Sequence, residues 1–186
     1  MRAALTFAMV TVAVLAQATV VNRLPFDWVA GPDLVVAAVA VVALTTGPAA
    51  AAGCGFAAGL ALDALPPAEH TLGTHALLLC VAGYAVSLLH HNTGASGVMD
   101  SRVPAWTALG VTAVTALGMG ISFAVIGLLT GDPAVDLIGA AATVGLGALA
   151  TVIASPLVVL PILWVRNALA ETDFATVQGP MSPGGW

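Results

Sequence analysis

Leu34 to Leu62 reads LVVAAVAVVALTTGPAAAAGCGFAAGLAL, 29 residues without a charge. At 1.5 Å per residue this is too long for one helical crossing of a bilayer core about 30 Å thick, and short for two full ones. Thr45-Thr46-Gly47-Pro48 interrupts it in the middle. Gly beside Pro marks a turn, because one supplies conformational freedom and the other cannot continue a helix. The stretch therefore predicts two short helices, roughly 32–46 and 48–65, folded as a tight hairpin. A re-entrant loop is the alternative. Either returns the chain to the side from which it came.

Outward from this hairpin, apolar runs recur in both directions. The expected spans are about 3–21, 32–46, 48–65, 72–89, 104–129 and 135–165, a transmembrane domain over 1–166. The fold class is all-α: a polytopic integral membrane bundle of about six helices. Composition agrees, since 60% of the 186 residues are apolar and 7% charged, against about 25% charged in an ordinary globular domain. Arg2 ahead of the first run and Ala16-Gln17-Ala18 within it have the pattern of a cleavable signal. The run stays apolar to Val21, which favours a span. The last run, of 31 residues, would measure about 46 Å as a straight helix. Pro156 and Pro161 are its expected kink points. A polar tail, 167–186, is expected to be disordered.

Orientation follows from arginine. Six spans place Arg2, Arg102 and Arg166 on one side and Arg23 on the other. The positive-inside rule makes the three-arginine side cytoplasmic, with both termini there. Merging 34–62 into one span would move Arg102 and Arg166 outside, which is the main argument for the hairpin. Trp28 then sits at the outer interface, and Trp106 and Trp164 at the inner one.

Few side chains offer chemistry. There is no Lys and no basic run, which argues against nucleic acid and against a polybasic lipid-binding patch. Cys54 and Cys80 stand alone inside apolar runs. His90-His91 lacks a third ligand, and no nucleophile motif, P-loop or GxGxxG is present. No catalytic residue, cofactor or metal is assigned, and the chain is not expected to be an enzyme. Asp63 is the one carboxylate well inside an apolar run, where a charge is costly. Ala51, Gly55, Gly59 and Asp63 recur every four residues, on one helical face. Gly55 and Gly59 form a GxxxG, which lets backbones approach closely. The stripe has two possible uses, packing within the bundle or receiving a partner helix. Asp63 either reaches water or caps a neighbour, or serves transport or partner binding. His75, at similar depth on the next span, is expected to bond to it. Gly110, Gly118, Gly120, Gly139, Gly145 and Gly147 suggest close packing through the later spans.

The order Pro32-Asp33-Leu34, Gly47-Pro48, Gly55-Phe56, Gly59-Leu60, Asp63, Leu72-Gly73-Thr74-His75-Ala76-Leu77 and Gly83-Tyr84, with Gln17 before it, resembles the bacterial rod shape-determining protein MreD family. The resemblance covers about a third of the chain. It implies a fold similar to the substrate-binding subunits of energy-coupling-factor vitamin transporters. It also implies a non-enzymatic role in cell elongation, binding an MreC-like bitopic partner. Through that partner it would modulate the peptidoglycan synthase formed by RodA and a class B penicillin-binding protein. The alternative is a vitamin-binding transporter subunit, with Ala4 and Ala8 as a small-residue docking face.

Overall fold

The computed structural model describes residues 2–23, 31–65, 73–93, 103–130 and 137–177. Among these the fold is all-helical. The elements are α1 (Arg2–Thr19), a short 3₁₀ turn (Val21–Arg23), α2 (Leu34–Thr45), α3 (Pro48–Ala64), α4 (Thr74–Asn92), α5 (Ala105–Thr130), α6 (Leu137–Ala154) and α7 (Pro156–Val177). Trp28, Arg102, the 66–71 connection and Gly131-Asp132-Pro133 lie outside the described residues.

The hairpin forms at Gly47-Pro48. Gly47 is the N-cap of α3 and Pro48 its first residue, where the missing N–H costs no hydrogen bond. The start of α2 differs from expectation. Pro32 precedes the helix, and Asp33 is its N-cap, accepting from the N–H groups of Val35 and Val36 at 3.0 Å each. A carboxylate there satisfies two orphan donors and meets the positive end of the helix dipole.

α2 is the axle of the bundle. Every residue from Val35 to Leu44 is buried, and the helix touches each of the other six. A helix apolar on all sides must be kept from water on all sides, and here protein does so. At 12 residues it is a shorter apolar helix, as is α3. Three segments are long and apolar enough to cross a membrane: Ala4–Arg23, Thr74–Asn92 and Ala105–Thr130. A fourth arises if Ile138–Ala154 and Pro156–Arg166, bent by 43°, count as one span.

The periphery is as apolar as the centre. Leu129, Ile138 and Leu157 are 81%, 79% and 76% exposed, and Trp106 and Trp164 also face outward. A soluble monomer rarely leaves such a continuous apolar surface; in a membrane it is the lipid-facing side. Polar groups in turn are satisfied internally, as a bilayer demands. Buried Thr112 and Thr115 each donate to the carbonyl four residues back, at 2.8 and 2.7 Å. Among the described residues no buried side-chain nitrogen or oxygen lacks a partner. The chain is an α-helical membrane protein.

Three expectations need correction. The fourth span, expected to end at about 89, runs on as α4 to Asn92, so His90 and His91 belong to its last turn, closed by the Thr93 N–H on Leu89 O at 3.0 Å. Imidazole groups suit the negative end of a helix. α7 continues to Val177, so the tail expected to be disordered from 167 is helical that far; 178–186 lie outside the described residues. The later glycines do not all mark close packing. A Cβ added at Gly110, Gly118 or Gly145 would meet nothing within 4 Å, and one at Gly120 would meet only the Val144 side chain. The long last run does break at Pro156, whose ring cannot donate to the α6 ladder. Pro161 lies inside α7.

Candidate functional site

The α3–α4 pair is the most extensive contact in the molecule, and it is built without large side chains. A Cβ at Gly55 would collide with the carbonyl oxygen of Leu79 and stand 2.7 Å from its carbon. One at Gly59 would collide with the His75 carbonyl and stand 2.5 Å from Ala76 Cα. From the other helix, a Cβ at Gly83 would lie 2.8 Å from Ala51 O. The contacts 51 with 83, 55 with 79 and 59 with 75 step four residues at a time in opposite directions, as in an antiparallel pair in register. Ala51, Gly55 and Gly59 are thus covered by α4. Gly83, quoted above only for the family resemblance, completes the seam. Its signal was spacing: it lies four residues beyond Leu79 and eight beyond His75.

Asp63 is the next step of that ladder. Its carboxylate accepts from the N–H groups of Gly73 at 2.8 Å, Ala76 at 3.2 Å and His75 at 3.4 Å. The N-cap of α4 is Gly73, at φ 100°, which has no side chain to offer. A left-handed residue there favours glycine, and glycine leaves the first N–H groups of the helix without their usual partner. Asp63 supplies that cap from the preceding helix. His75 Nδ1 also lies 2.8 Å from Asp63 Oδ1. Beside a carboxylate that nitrogen carries the proton and donates. The imidazole leans on Phe123 of α5, with ring centroids 4.7 Å apart at 51°. One carboxylate thereby ties the end of α3 to the start of α4, and His75 extends the tie to α5.

At the same end, Gln17 joins α1 to α2. This buried amide donates from Nε2 to Asn22 Oδ1 and Pro32 O, both at 3.1 Å, and accepts from Leu34 N at 2.9 Å. Thr151 of α6 accepts from Asp33 N at 2.9 Å. An amide in the middle of an apolar run is itself a signal, since it must find partners inside. Its partners, 5, 15 and 17 residues away, could not be read from spacing. Between the start of α2 and helices α5 and α6 lies a cavity of about 510 Å³, lined in part by Asp33, Met119, Phe123, Thr143 and Thr151.

The opposite end of α2 is held differently. Ser87 of α4 donates to Thr46 O at 2.6 Å, and Arg166 of α7 donates to Thr45 Oγ1. His91 Nδ1 lies 2.7 Å from Ser87 O and donates to it. Cys54 and Cys80 are free thiols, each half-buried. Among the described residues no three His, Cys, Asp or Glu side chains converge as a metal site would require. What the Asp63–His75 arrangement does chemically is fix helices. Comparison with protein-family models, with curated proteins and with solved structures gives no match.

Proposed function

We propose that this chain is a non-enzymatic membrane subunit of the bacterial cell-elongation machinery, of the MreD kind. In this reading it holds an MreC-like single-span protein and, through it, modulates the RodA–penicillin-binding protein synthase. It crosses the membrane six times, α2 and α3 being short crossings, of which α2 is enclosed by its neighbours. Both termini are cytoplasmic.

One observation supports the reading best. The residues that carry the resemblance are scattered from Gln17 to Tyr84; the polar, glycine and proline positions among them occupy one connected framework, while Phe56, Leu60, Leu77 and Tyr84 face outward. Gln17 and Asp33 organise the entry to α2. Gly47 and Pro48 turn the hairpin. Gly55, Gly59 and Gly83 seat α3 on α4, and Asp63 with Gly73 and His75 closes it. Because α4 covers the Ala51-Gly55-Gly59 stripe, the partner is received on another face. Expression with the products of the neighbouring genes, followed by affinity purification in mild detergent, tests the reading. Recovery of an MreC-like coiled-coil protein is expected; purification without any elongation protein overturns it.

The 510 Å³ cavity beside Asp33 is the observation that favours the second reading, a vitamin-binding transporter subunit, since ligand pockets run about 300–1,000 Å³. A small molecule found by mass spectrometry of the purified protein, together with a co-purifying ATPase, would support it.

A further inference from the structure

The cavity of about 510 Å³ at the start of α2 is walled mostly by apolar side chains, Val36, Met119 and Val144 among them. Asp33 is the one ionisable side chain on its lining among the described residues, and no basic side chain lines it. The carboxylate is only half used. Both cap bonds, from the N–H groups of Val35 and Val36, fall on Oδ1, and Oδ2 has no hydrogen-bond partner among the described residues. No buried side-chain oxygen lacks a partner among those residues, so Oδ2 is not sealed within protein: it borders open space. The hydroxyls of the lining are committed to their own helix. Thr143 Oγ1 donates to Gly139 O and Thr151 Oγ1 to Gly147 O, both at 2.9 Å. A hydroxyl has one proton, so toward the cavity each offers lone pairs alone. Thr151 already takes the Asp33 N–H on one of them. The polar side chains of the lining are thus acceptors, and one of them is a carboxylate. The positive end of α6, near Gly139, lies about 18 Å along the helix from Thr151, and a helix dipole fades within a turn.

We propose that this cavity binds a small organic ammonium, its N–H groups on Asp33 Oδ2 and its carbon body between α5 and α6. Three features select this occupant. A set of acceptors is satisfied by a donor, which sets aside carboxylates and phosphates. A carboxylate within a membrane protein calls for a cation or a donor to face it. A bare metal ion needs several oxygen ligands close about it, and no three His, Cys, Asp or Glu side chains converge among the described residues. The volume, by contrast, is that of a small-molecule pocket, which runs about 300–1,000 Å³. The inference rests on the cavity that favours the second function above and adds the class of molecule. In an elongation subunit the same site would be regulatory.

The test titrates the full chain, in a neutral maltoside detergent, with three probes of similar shape: 2-phenylethylammonium, 2-phenylethanol and phenylacetate. Calorimetry should show saturable binding of the ammonium, about tenfold tighter than the alcohol, the order of one hydrogen bond to a charged group. Phenylacetate should not bind. Asp33→Asn keeps an oxygen for the helix cap and should bring ammonium and alcohol level. If that variant fails to fold, Ala124→Leu with Ala140→Leu decides. Both positions line the cavity, so the pair fills it from α5 and α6 and leaves the cap intact. It should lose ammonium binding while keeping its helical circular dichroism. Equal binding of ammonium and alcohol by wild type, tighter binding of phenylacetate, or binding of none of the three overturns the proposal. So does an unchanged preference in Asp33→Asn, or binding retained in the filled cavity. The second function stands or falls separately. A co-purifying ATPase without an ammonium preference overturns the ligand class alone, and ammonium binding without an ATPase sustains the site and removes the transporter.

Discussion

Two parts of this molecule carry glycines inside their helices and use them in opposite ways. In the α3–α4 pair, Gly55, Gly59 and Gly83 sit where a methyl group would strike the backbone of the other helix. In α5 and α6, Gly110, Gly118 and Gly145 face open space. The first pair is held by backbone contact and an interhelical cap. α5 and α6, the next most extensive pair, have no comparable seam, and Gly120 meets only the branched end of Val144. Glycine content alone therefore says little about packing in a membrane helix. Period and partner matter: Gly55 and Gly59 share a face with Ala51 and Asp63, and the facing helix presents Gly83 at the matching step.

The largest effect that separates the two regions is overpacking. Gly55→Leu or Gly59→Leu must push α3 off α4, because the obstacle is backbone and cannot rotate away. Overpacked cores typically lose about 1–3 kcal/mol, occasionally more, and the loss here should lie at the upper end. Gly118→Leu, pointing into open space, should lose little. Thermal unfolding of each variant in the same detergent checks the contrast. Equal losses at Gly59 and Gly118 would break it.

The cap is the next step down. Asp63→Ala leaves the N–H groups of Gly73, His75 and Ala76 without their carboxylate, and loss of a helix cap costs about 0.5–2 kcal/mol. Asp63→Asn keeps one acceptor oxygen and should lose less. The side-chain part is smaller again. Polar pairs within membrane bundles average about 0.6 kcal/mol in double-mutant cycles, so Asp63→Asn and His75→Ala should couple by about that amount. Strict additivity would mean that Asp63 acts on the α4 backbone alone.

How much of this was legible in the sequence depends on the range of the interaction. The hairpin at Gly47-Pro48 was readable because proline at a first helical position is a local rule. The Ala51-Gly55-Gly59-Asp63 face was readable because four-residue spacing is helical geometry. The encasement of α2 was not. A run of valine and alanine is apolar on every side whether lipid or protein surrounds it, and only the packed bundle tells the two apart. The Gln17 clamp, the Thr151 contact with Asp33 and the Arg166 contact with Thr45 join residues up to 121 positions apart. Nothing in local spacing encodes such pairs. Gly110, Gly118 and Gly145 misled for a related reason: without a facing helix to test them against, an open glycine and a packed one are the same letter.

The smallest expected effect has the opposite sign, and it sharpens the comparison most. If Gly118 is idle in packing, its remaining influence is conformational: glycine in a helix interior is less favourable than alanine by about 0.5–1 kcal/mol, because it loses more backbone freedom on folding. Gly118→Ala adds a methyl where nothing lies within 4 Å, so nothing offsets that gain. The bilayer already restrains the unfolded reference to helix, which shrinks the benefit to a few tenths of a kcal/mol. Gly55→Ala makes the same chemical change on α3, yet its methyl meets the carbonyl of Leu79. The pair of alanine variants, measured side by side, should move apparent melting temperature in opposite directions. A loss at Gly118 comparable to that at Gly55 would mean that something packs on the α5 face at Gly118. That face would then be an interface, and the contrast between the two regions would be one of partners rather than of packing.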